Sequence, residues 1–240
     1  MSTYQDVFRR YEKKYLLTQA QYDALGKVLE GRMVRDRFAE STIGNIYFDT
    51  PDFKLVRRSL DKPAYKEKLR LRCYKTPGED TEAFAEIKKK FAGVVYKRRA
   101  AMAYDEAVSY LCGRDLPPAD SQIIREIDWL KQFYGELQPA MCIFYDRLAL
   151  FDQYQPDLRV TFDANIRWRQ DRLDLKAGAW GEQLLEPGTC LMEIKIPGTT
   201  PLWLARALSE LRIFPVSFSK YGLAYQRSLT QKQKEEITCA

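Results

Sequence analysis

The sequence contains no histidine among its 240 residues. This absence excludes Ser-His and Cys-His nucleophile pairs and histidine metal ligands, and it removes the commonest general base of enzymes. Any chemistry that this chain performs must therefore use carboxylates, lysines, arginines or hydroxyl groups.

Cysteine is scarce and gives no recognisable pattern. The five cysteines are odd in number and widely spaced, and no two of them form a C-x-x-C pair. Neither a disulfide framework nor a zinc site is indicated.

Long apolar runs and phosphate-binding loops are also missing. We find no N-terminal apolar segment of the signal type and no uninterrupted apolar run of membrane length, so we expect no transmembrane segment and, by default, a cytoplasmic protein. The sequence holds no P-loop and no G-x-G-x-x-G motif. A bound anion would therefore have to be held by side chains.

What the sequence does contain is positive charge in regular alternation, most clearly in the stretch 66–74. Lys66, Lys68, Arg70 and Arg72 share one parity there, so an extended chain would place them in a row on one face, with leucines on the other. A single strand of this kind usually has a solvated face. The pattern recurs, however, in at least five further segments, listed by their alternating polar residues: 10–14, 86–90, 145–147, 159–163 and 193–195.

Many strands with such a face, closing on each other, would form a polar-lined barrel whose apolar face is turned outward under helices. The net charge of +6 is modest, and its placement in strands favours a fixed anion site over a diffuse footprint on nucleic acid or membrane. Strands are predicted over 10–17, 43–49, 66–74, 83–90, 94–104, 139–151, 158–168 and 191–196. Helices are predicted over 19–30, after Pro51, over 105–112 and 121–134, after Pro201, and from Phe218.

The length favours one domain over residues 1–240, with a tail from about 230 predicted to fray. Lysines and arginines with isolated glutamates suit a ligand that carries several phosphates. Glu12, Glu86 and Glu193 offer the hard oxygen ligands that a divalent metal requires. Phosphoryl transfer needs mainly positioning and neutralisation of charge, so a site without histidine is chemically acceptable.

The motifs, taken in order, resemble a known family. They are Glu12-x-Lys14, Asn45-x-x-x-Asp49-Thr50, Lys68-x-Arg70-x-Arg72, Glu86-x-Lys88, Tyr145-x-Arg147, Arg159-x-x-x-Asp163, Glu193-x-Lys195 and Phe218-Ser219-Lys220-Tyr221. This ordered set, from about residue 8 to about 225, resembles the VTC domain of the CYTH-like triphosphate tunnel metalloenzymes.

The resemblance implies an α+β fold: a closed antiparallel β-barrel tunnel of about eight strands, with a basic interior and helices packed outside. It also implies a polyphosphate polymerase that transfers the terminal phosphate of ATP to a growing polyphosphate chain, releases ADP and uses Mn²⁺ or Mg²⁺. The residues that match the catalytic cations are Lys14, Arg70, Arg72, Lys88 and Lys220. Those that match substrate-binding groups are Lys97, Tyr145, Arg147, Arg159 and Ser219, with Arg98 and Arg99 as alternatives to Lys97. Glu193 matches the metal-holding carboxylate, and Glu12 and Glu86 are further metal candidates.

Some alternatives remain at this point. Arg10 stands where hydrolases and cyclases of the superfamily have a first glutamate, which disfavours those activities; a tripolyphosphate hydrolase and a non-catalytic polyphosphate-binding module remain open. Glu86 could equally be an internal salt-bridge partner, and Asp163 could orient an arginine. By parity, Lys13, Glu67 and Lys89 are expected to be surface charges.

Overall fold

The computed structural model describes residues 11–92 and 94–238. Arg10 and Gly93, which belong to predicted motifs and turns, lie outside the described residues. The described strands are β1 (Tyr11–Thr18), β2 (Met33–Asp49), β3 (Tyr65–Cys73), β4 (Glu82–Phe91), β5 (Val94–Ala103), β6 (Gln138–Asp152), β7 (Arg159–Arg169), β8 (Glu182–Gln183) and β9 (Thr189–Ile196).

These strands form one antiparallel sheet in the order β1-β9-β7-β6-β2-β3-β4-β5, with the short β8 paired to β7. The register sets charged residues of one parity side by side: Lys68 is opposite Lys88, and Arg70 is opposite Glu86. The charged parities of the neighbouring strands meet on the same concave face, which lines a cavity of about 2140 Å³. The predicted α+β class and polar face are confirmed.

The predicted closure of the barrel is wrong. No backbone pairing joins β1 to β5 within the described part of the chain, so the sheet is curved but open. The physical reason lies at the free edge of β1, where Val216 N donates a hydrogen bond of 2.7 Å to Lys14 O and so occupies that edge. The two ends of the sheet nevertheless approach each other, because Lys88 Nζ of β4 lies 3.0 Å from Glu12 Oε2 of β1.

The helices cover most of the convex face. They are α1 (Gln19–Leu29), α2 (Lys54–Leu60), α3 (Tyr104–Leu111), α4 (Gln122–Tyr134), α5 (Leu202–Glu210) and α6 (Lys220–Thr238), with a 3₁₀ turn at Leu175–Ala177. Leu69, Leu71 and Ile87 pack with buried residues of α3 and α4 in one core cluster. A second cluster joins α1 and α5 to β1, β7 and β9. Thr18 and Ser121 cap α1 and α4, as the sequence predicts.

Helix α6 is an exception to the expectation that helices lie outside. Tyr221 stacks on Tyr47 with ring centroids 4.5 Å apart, and Tyr47 belongs to the parity that faces the cavity. The first turn of α6 therefore enters the concave face. The helix continues to Thr238, past residue 230 where the sequence predicts fraying.

Glu67 corrects a second expectation, that its parity makes it a surface charge. Its carboxylate is 4% exposed and accepts hydrogen bonds from the hydroxyls of Tyr65 (2.7 Å) and Tyr134 (2.9 Å). The reason is that α4, which carries Tyr134, covers this part of the convex face. Lys13 is exposed as expected, and Lys89 lies on the convex side within 3.3 Å of Glu126 of α4.

Asp49 holds the start of α2 and the start of α6 together. Its buried carboxylate accepts hydrogen bonds from Leu55 N (2.8 Å), Val56 N (3.0 Å) and the Tyr221 hydroxyl (2.8 Å). We expect Asp49→Ala to lower the free energy of unfolding by about 3 kcal/mol, because these buried donors would lose a charged acceptor. Urea unfolding measures the change. Asp115→Ala, in an exposed turn, is the control and should stay within about 0.5 kcal/mol of the wild type; a similar small effect at Asp49 would contradict the assignment.

Candidate functional site

The concave cavity brings together nearly all the residues that the sequence assigns to the site. The residues that line it are Glu12, Lys14, Arg70, Arg72, Lys88, Lys97, Tyr145, Arg147, Arg159, Glu193, Ser219 and Lys220. Glu86 is not in the lining: it is 1% exposed and lies behind the arginines of β3. The alternation rule therefore places the cations correctly, although it leaves open which acid each of them contacts.

Glu193 is the centre of one cluster of charges. Its carboxylate oxygens lie within 4 Å of four cationic side chains, namely Lys195 (3.2 Å), Lys14 (3.5 Å), Lys220 (3.8 Å) and Arg147 (3.9 Å). Burial alone would raise the pKa of this carboxyl group, but the surrounding cations hold its pKa well below the usual range. Glu193 is therefore an anion throughout the neutral pH range, and the cations outnumber it.

Asp163 positions two of those cations. Its two oxygens accept hydrogen bonds from Arg147 Nε (2.6 Å) and Nη2 (2.8 Å), and Lys220 Nζ lies 2.5 Å from Oδ2. Burial would raise the pKa of Asp163, while Lys220 and Arg147 lower it. This geometry confirms the interpretation that Asp163 orients an arginine, since the paired contact fixes the plane of the guanidinium group.

A second cluster surrounds Glu86. Arg70 Nη2 lies 2.6 Å from Glu86 Oε2, Lys97 Nζ lies 2.7 Å from Oε1, and Arg72 Nε lies 3.8 Å from Oε2. Glu86 is thus an internal salt-bridge partner, which was one of its two possible roles in the sequence. Both of its oxygens face cations of β3 and β5.

Arg72 and Tyr145 connect the two clusters across the floor of the cavity. Arg72 donates from Nη2 to the Tyr145 hydroxyl (3.0 Å) and from Nε to Asn45 Oδ1 (3.1 Å). On the other side of Tyr145, Lys220 Nζ lies 4.4 Å from the centre of its ring. Burial would raise the pKa of Tyr145, but Arg72, Arg147 and Lys220 lower it below its ordinary value.

Ser219 and Lys68 meet where α6 enters the cavity. Lys68 Nζ donates to Ser219 Oγ at 2.8 Å, and the same oxygen accepts from Gly222 N at 3.1 Å, so that Ser219 caps α6. Lys68 and Lys195 line the cavity although the sequence assigned neither to the site. Their parity is the signal that could have found them, since each lies two residues from an assigned residue of the same strand.

Arg159 lies nearer the solvent: its side chain is 52% exposed and its closest acid is Asp36, at 3.9 Å.

The acids provide only a partial metal site. Among residues 11–92 and 94–238, no group of three or more histidine, cysteine, aspartate or glutamate side chains is arranged to hold a metal ion. Glu12 and Glu193 come nearest to such a role, because both lie within 4 Å of Lys195 Nζ, at 3.9 and 3.2 Å. Mg²⁺ is commonly bound by one or two carboxylates, with water and substrate phosphates as the other ligands. Glu12 and Glu193 have the hard oxygen donors that a divalent ion requires, and in this structure both are paired with cations, Glu12 with Lys88 at 3.0 Å and Glu193 with Lys195 at 3.2 Å. Both oxygens of Glu86 are likewise engaged, by Arg70 and Lys97.

No helix in the described part of the chain is long and apolar enough to cross a membrane.

Comparison with known proteins agrees with this fold. A Bacillus halodurans protein described as a "putative adenylate cyclase" is 15% identical, with a TM-score of 0.56 over 88% of this chain and 96% of that one. A Vibrio parahaemolyticus protein of the same description is 14% identical, with a TM-score of 0.52 over 91% and 98% of the two chains. At these identities the likeness shows the fold alone, and no curated protein matches the sequence. A model of the VTC domain family matches residues 9–229. The chain therefore belongs to the VTC domain family.

Proposed function

We propose that this protein is a polyphosphate polymerase that transfers the terminal phosphate of ATP to the end of an inorganic polyphosphate chain and releases ADP. The observation that supports this most is the Glu193 cluster: one buried carboxylate within 4 Å of four cations, on the wall of a large open cavity. The cations around Glu193 suit a ligand that carries several phosphates, and its carboxylate offers the hard oxygen ligand that a metal ion bound to those phosphates requires.

The reaction needs little proton chemistry from the protein. A terminal oxygen of the acceptor chain attacks the γ-phosphorus of ATP, a new P–O bond forms, and the bond from that phosphorus to the bridging oxygen of ADP breaks. Because a terminal phosphate is largely ionised at neutral pH, with its second pKa near ~6, the nucleophile requires no general base. This is consistent with a chain that lacks histidine.

The cations supply positioning and charge neutralisation, which account for most of the catalysis in phosphoryl transfer. Arg70 and Arg72 present guanidinium groups on one side of the cavity, and Arg147 is held on the other by both oxygens of Asp163. Cations from two separate clusters can therefore contact the donor and the acceptor at the same time. Lys14, Lys88, Lys97 and Lys220 add point charges between them.

Glu193, with Glu12 as a second carboxylate, would hold a divalent ion, and such an ion would supply neutralisation of the charge on the substrate phosphates. Proteins of the CYTH-like tunnel type generally use divalent metal ions.

The proposal is tested by incubating the purified protein with ATP and Mn²⁺ and resolving nucleotides and phosphates by chain length. We expect ADP together with long polyphosphate. ADP with free phosphate only, or cleavage of added tripolyphosphate, would assign the protein to the hydrolases of the superfamily. Tight polyphosphate binding without turnover would show that the protein is a non-catalytic binding module.

The affinity for tripolyphosphate should depend on pH through Lys68. Burial, followed by repulsion from Lys14 and Lys88, lowers the pKa of Lys68 to about 7. Only the protonated amine attracts phosphate, so its contribution is present below pH 7 and is lost as the pH rises. We expect the ratio of wild-type to Lys68→Met affinity to fall about tenfold between pH ~6 and ~9. Taking this ratio cancels the ionisation of the phosphate itself, and a ratio that stays constant would contradict the lowered pKa.

A further inference from the structure

One end of the cavity carries lysines that have no acidic partner among the residues that the structure describes. Lys66 and Lys90 are directly opposite each other on β3 and β4, and the next pair of the same parity is Lys68 and Lys88. Like charges directly opposite each other destabilise a sheet. Lys62, in the turn before β3, also lines this end. We call Lys62, Lys66 and Lys90 the lysine end.

Within the described residues, no carboxylate lies within 4.0 Å of any lysine of the lysine end, whereas Lys88 is paired with Glu12 at 3.0 Å. Lys66 Nζ instead donates to the backbone oxygen of Ser59 at 3.0 Å. Burial, then Lys90 and Lys62, lower the pKa of Lys66, so both of these amines are close enough to repel that of Lys66. Of the acids adjacent to these lysines in sequence, Asp61 is exposed, and the carboxylate of Glu67 is occupied by the hydroxyls of Tyr65 and Tyr134.

The opposite end of the cavity carries acidic residues. Strand β3 has nine residues and is therefore about 30 Å long at ~3.3 Å per residue, and the loop that follows it lines the far end. That loop contributes Glu79, Asp80 and Lys75 to the lining, and the first residue of β4 contributes Glu82. In the described part of the chain no lysine or arginine nitrogen lies within 4.0 Å of a carboxylate oxygen of these three acids. A polyanion longer than the reacting phosphates would be attracted to the lysine end and repelled from the loop end.

We propose that the lysine end binds the polyphosphate chain beyond the reacting phosphate, so that long chains enter and leave the cavity past Lys62, Lys66 and Lys90. This inference rests on the proposed function and adds to it the end of the cavity through which the polyphosphate chain passes. The clusters around Glu193 and Glu86 hold the reacting phosphates. The lysine end adds affinity only for chains that are long enough to reach it. A ligand as short as tripolyphosphate is held by the two clusters and does not need the lysine end.

The test compares a triple variant, Lys62→Gln, Lys66→Gln and Lys90→Gln, with Lys75→Gln at the loop end. Affinities for tripolyphosphate and for long-chain polyphosphate are measured over a range of salt concentrations. In the triple variant we expect long-chain affinity to fall at least about tenfold, and its salt dependence to fall by about two units of log K per log salt, at ~0.7 per phosphate contact. Tripolyphosphate affinity should change less than about twofold, and Lys75→Gln should leave both affinities unchanged.

Equal losses for the two ligands, no loss of long-chain affinity, or an equal loss in Lys75→Gln would overturn the assignment. Because the readout is binding, it is independent of turnover. A wild type that makes polyphosphate but whose triple variant keeps its long-chain affinity refutes this inference alone. A wild type that binds neither ligand refutes the proposed function as well.

Discussion

Glu193→Gln is expected to reduce polyphosphate synthesis by at least about a hundredfold, a loss typical of removing one preorganised electrostatic group, while polyphosphate binding is retained. The amide keeps the shape of the side chain but removes the charge that lies within 4 Å of Lys195, Lys14, Lys220 and Arg147. Anion affinity should stay the same or increase, because the cations lose their internal competitor. The loss should therefore fall on kcat rather than on binding.

The matched control is Glu82→Gln, which removes an exposed carboxylate from the loop end of the same cavity and should leave synthesis unchanged. Circular dichroism and polyphosphate binding establish that the Glu193 variant is folded. Undiminished turnover in a folded Glu193→Gln protein would contradict the role of this carboxylate. Equal loss of turnover in Glu82→Gln would show that the effect is one of net charge only.

Lys220→Met should cause the second large loss, of about a hundredfold in kcat/KM. Lys220 is buried, lies 2.5 Å from Asp163 and 3.8 Å from Glu193, and is carried into the cavity by the first turn of α6. Burial disfavours its charge, but Asp163 and Glu193 raise its pKa above the ordinary lysine value. It is therefore a permanent cation at the point where the reacting phosphates would lie, and methionine removes the charge while filling a similar volume.

Asp163 keeps both contacts to Arg147 in the Lys220 variant, so we expect the protein to fold. Lys27→Met, on the exposed side of α1, is the control and should have wild-type activity. Lys220→Arg restores the charge and should recover part of the activity. Full activity in Lys220→Met would show that Lys220 only anchors α6; a loss that Lys220→Arg does not relieve would show that position, and not charge, is required.

Alternation of residue types made much of the sheet predictable. In β3 the period of two places Lys68, Arg70 and Arg72 on the cavity face and Leu69 and Leu71 in the core, as the structure shows. Helix caps such as Thr18 and Ser121 are local signals, so they were found as well.

The features that could not be predicted depend on contacts between distant segments. Alternation along a strand indicates which face of the sheet a side chain is on, but not what covers that face. Glu67 was therefore mistaken for a surface charge, although α4 covers it. The open edge of β1 depends on Val216, about two hundred residues away along the chain. The first ten residues of β2 were also missed, because the register there shifts between Arg35 and Glu40 and the alternation is broken.

The site was predictable as a set of cations but not as two clusters. Nothing local distinguishes Glu86, which pairs with Arg70 and Lys97, from Glu193, which faces four cations contributed by β1, β6, β9 and α6. That distinction arises from the curvature of the sheet. The proposal takes Glu193, with Glu12, as the carboxylates that would hold a metal.

The central claim, that the cavity transfers the terminal phosphate of ATP to a polyphosphate chain, is tested most directly by the fate of a radiolabel. The protein is incubated with Mn²⁺ and ATP labelled either in the γ-phosphate or in the α-phosphate, and long polyphosphate is separated from nucleotides. The account predicts that γ-label enters the long chain while α-label stays in ADP. Release of the γ-label only as free phosphate, or appearance of the α-label in a cyclic nucleotide, would contradict it.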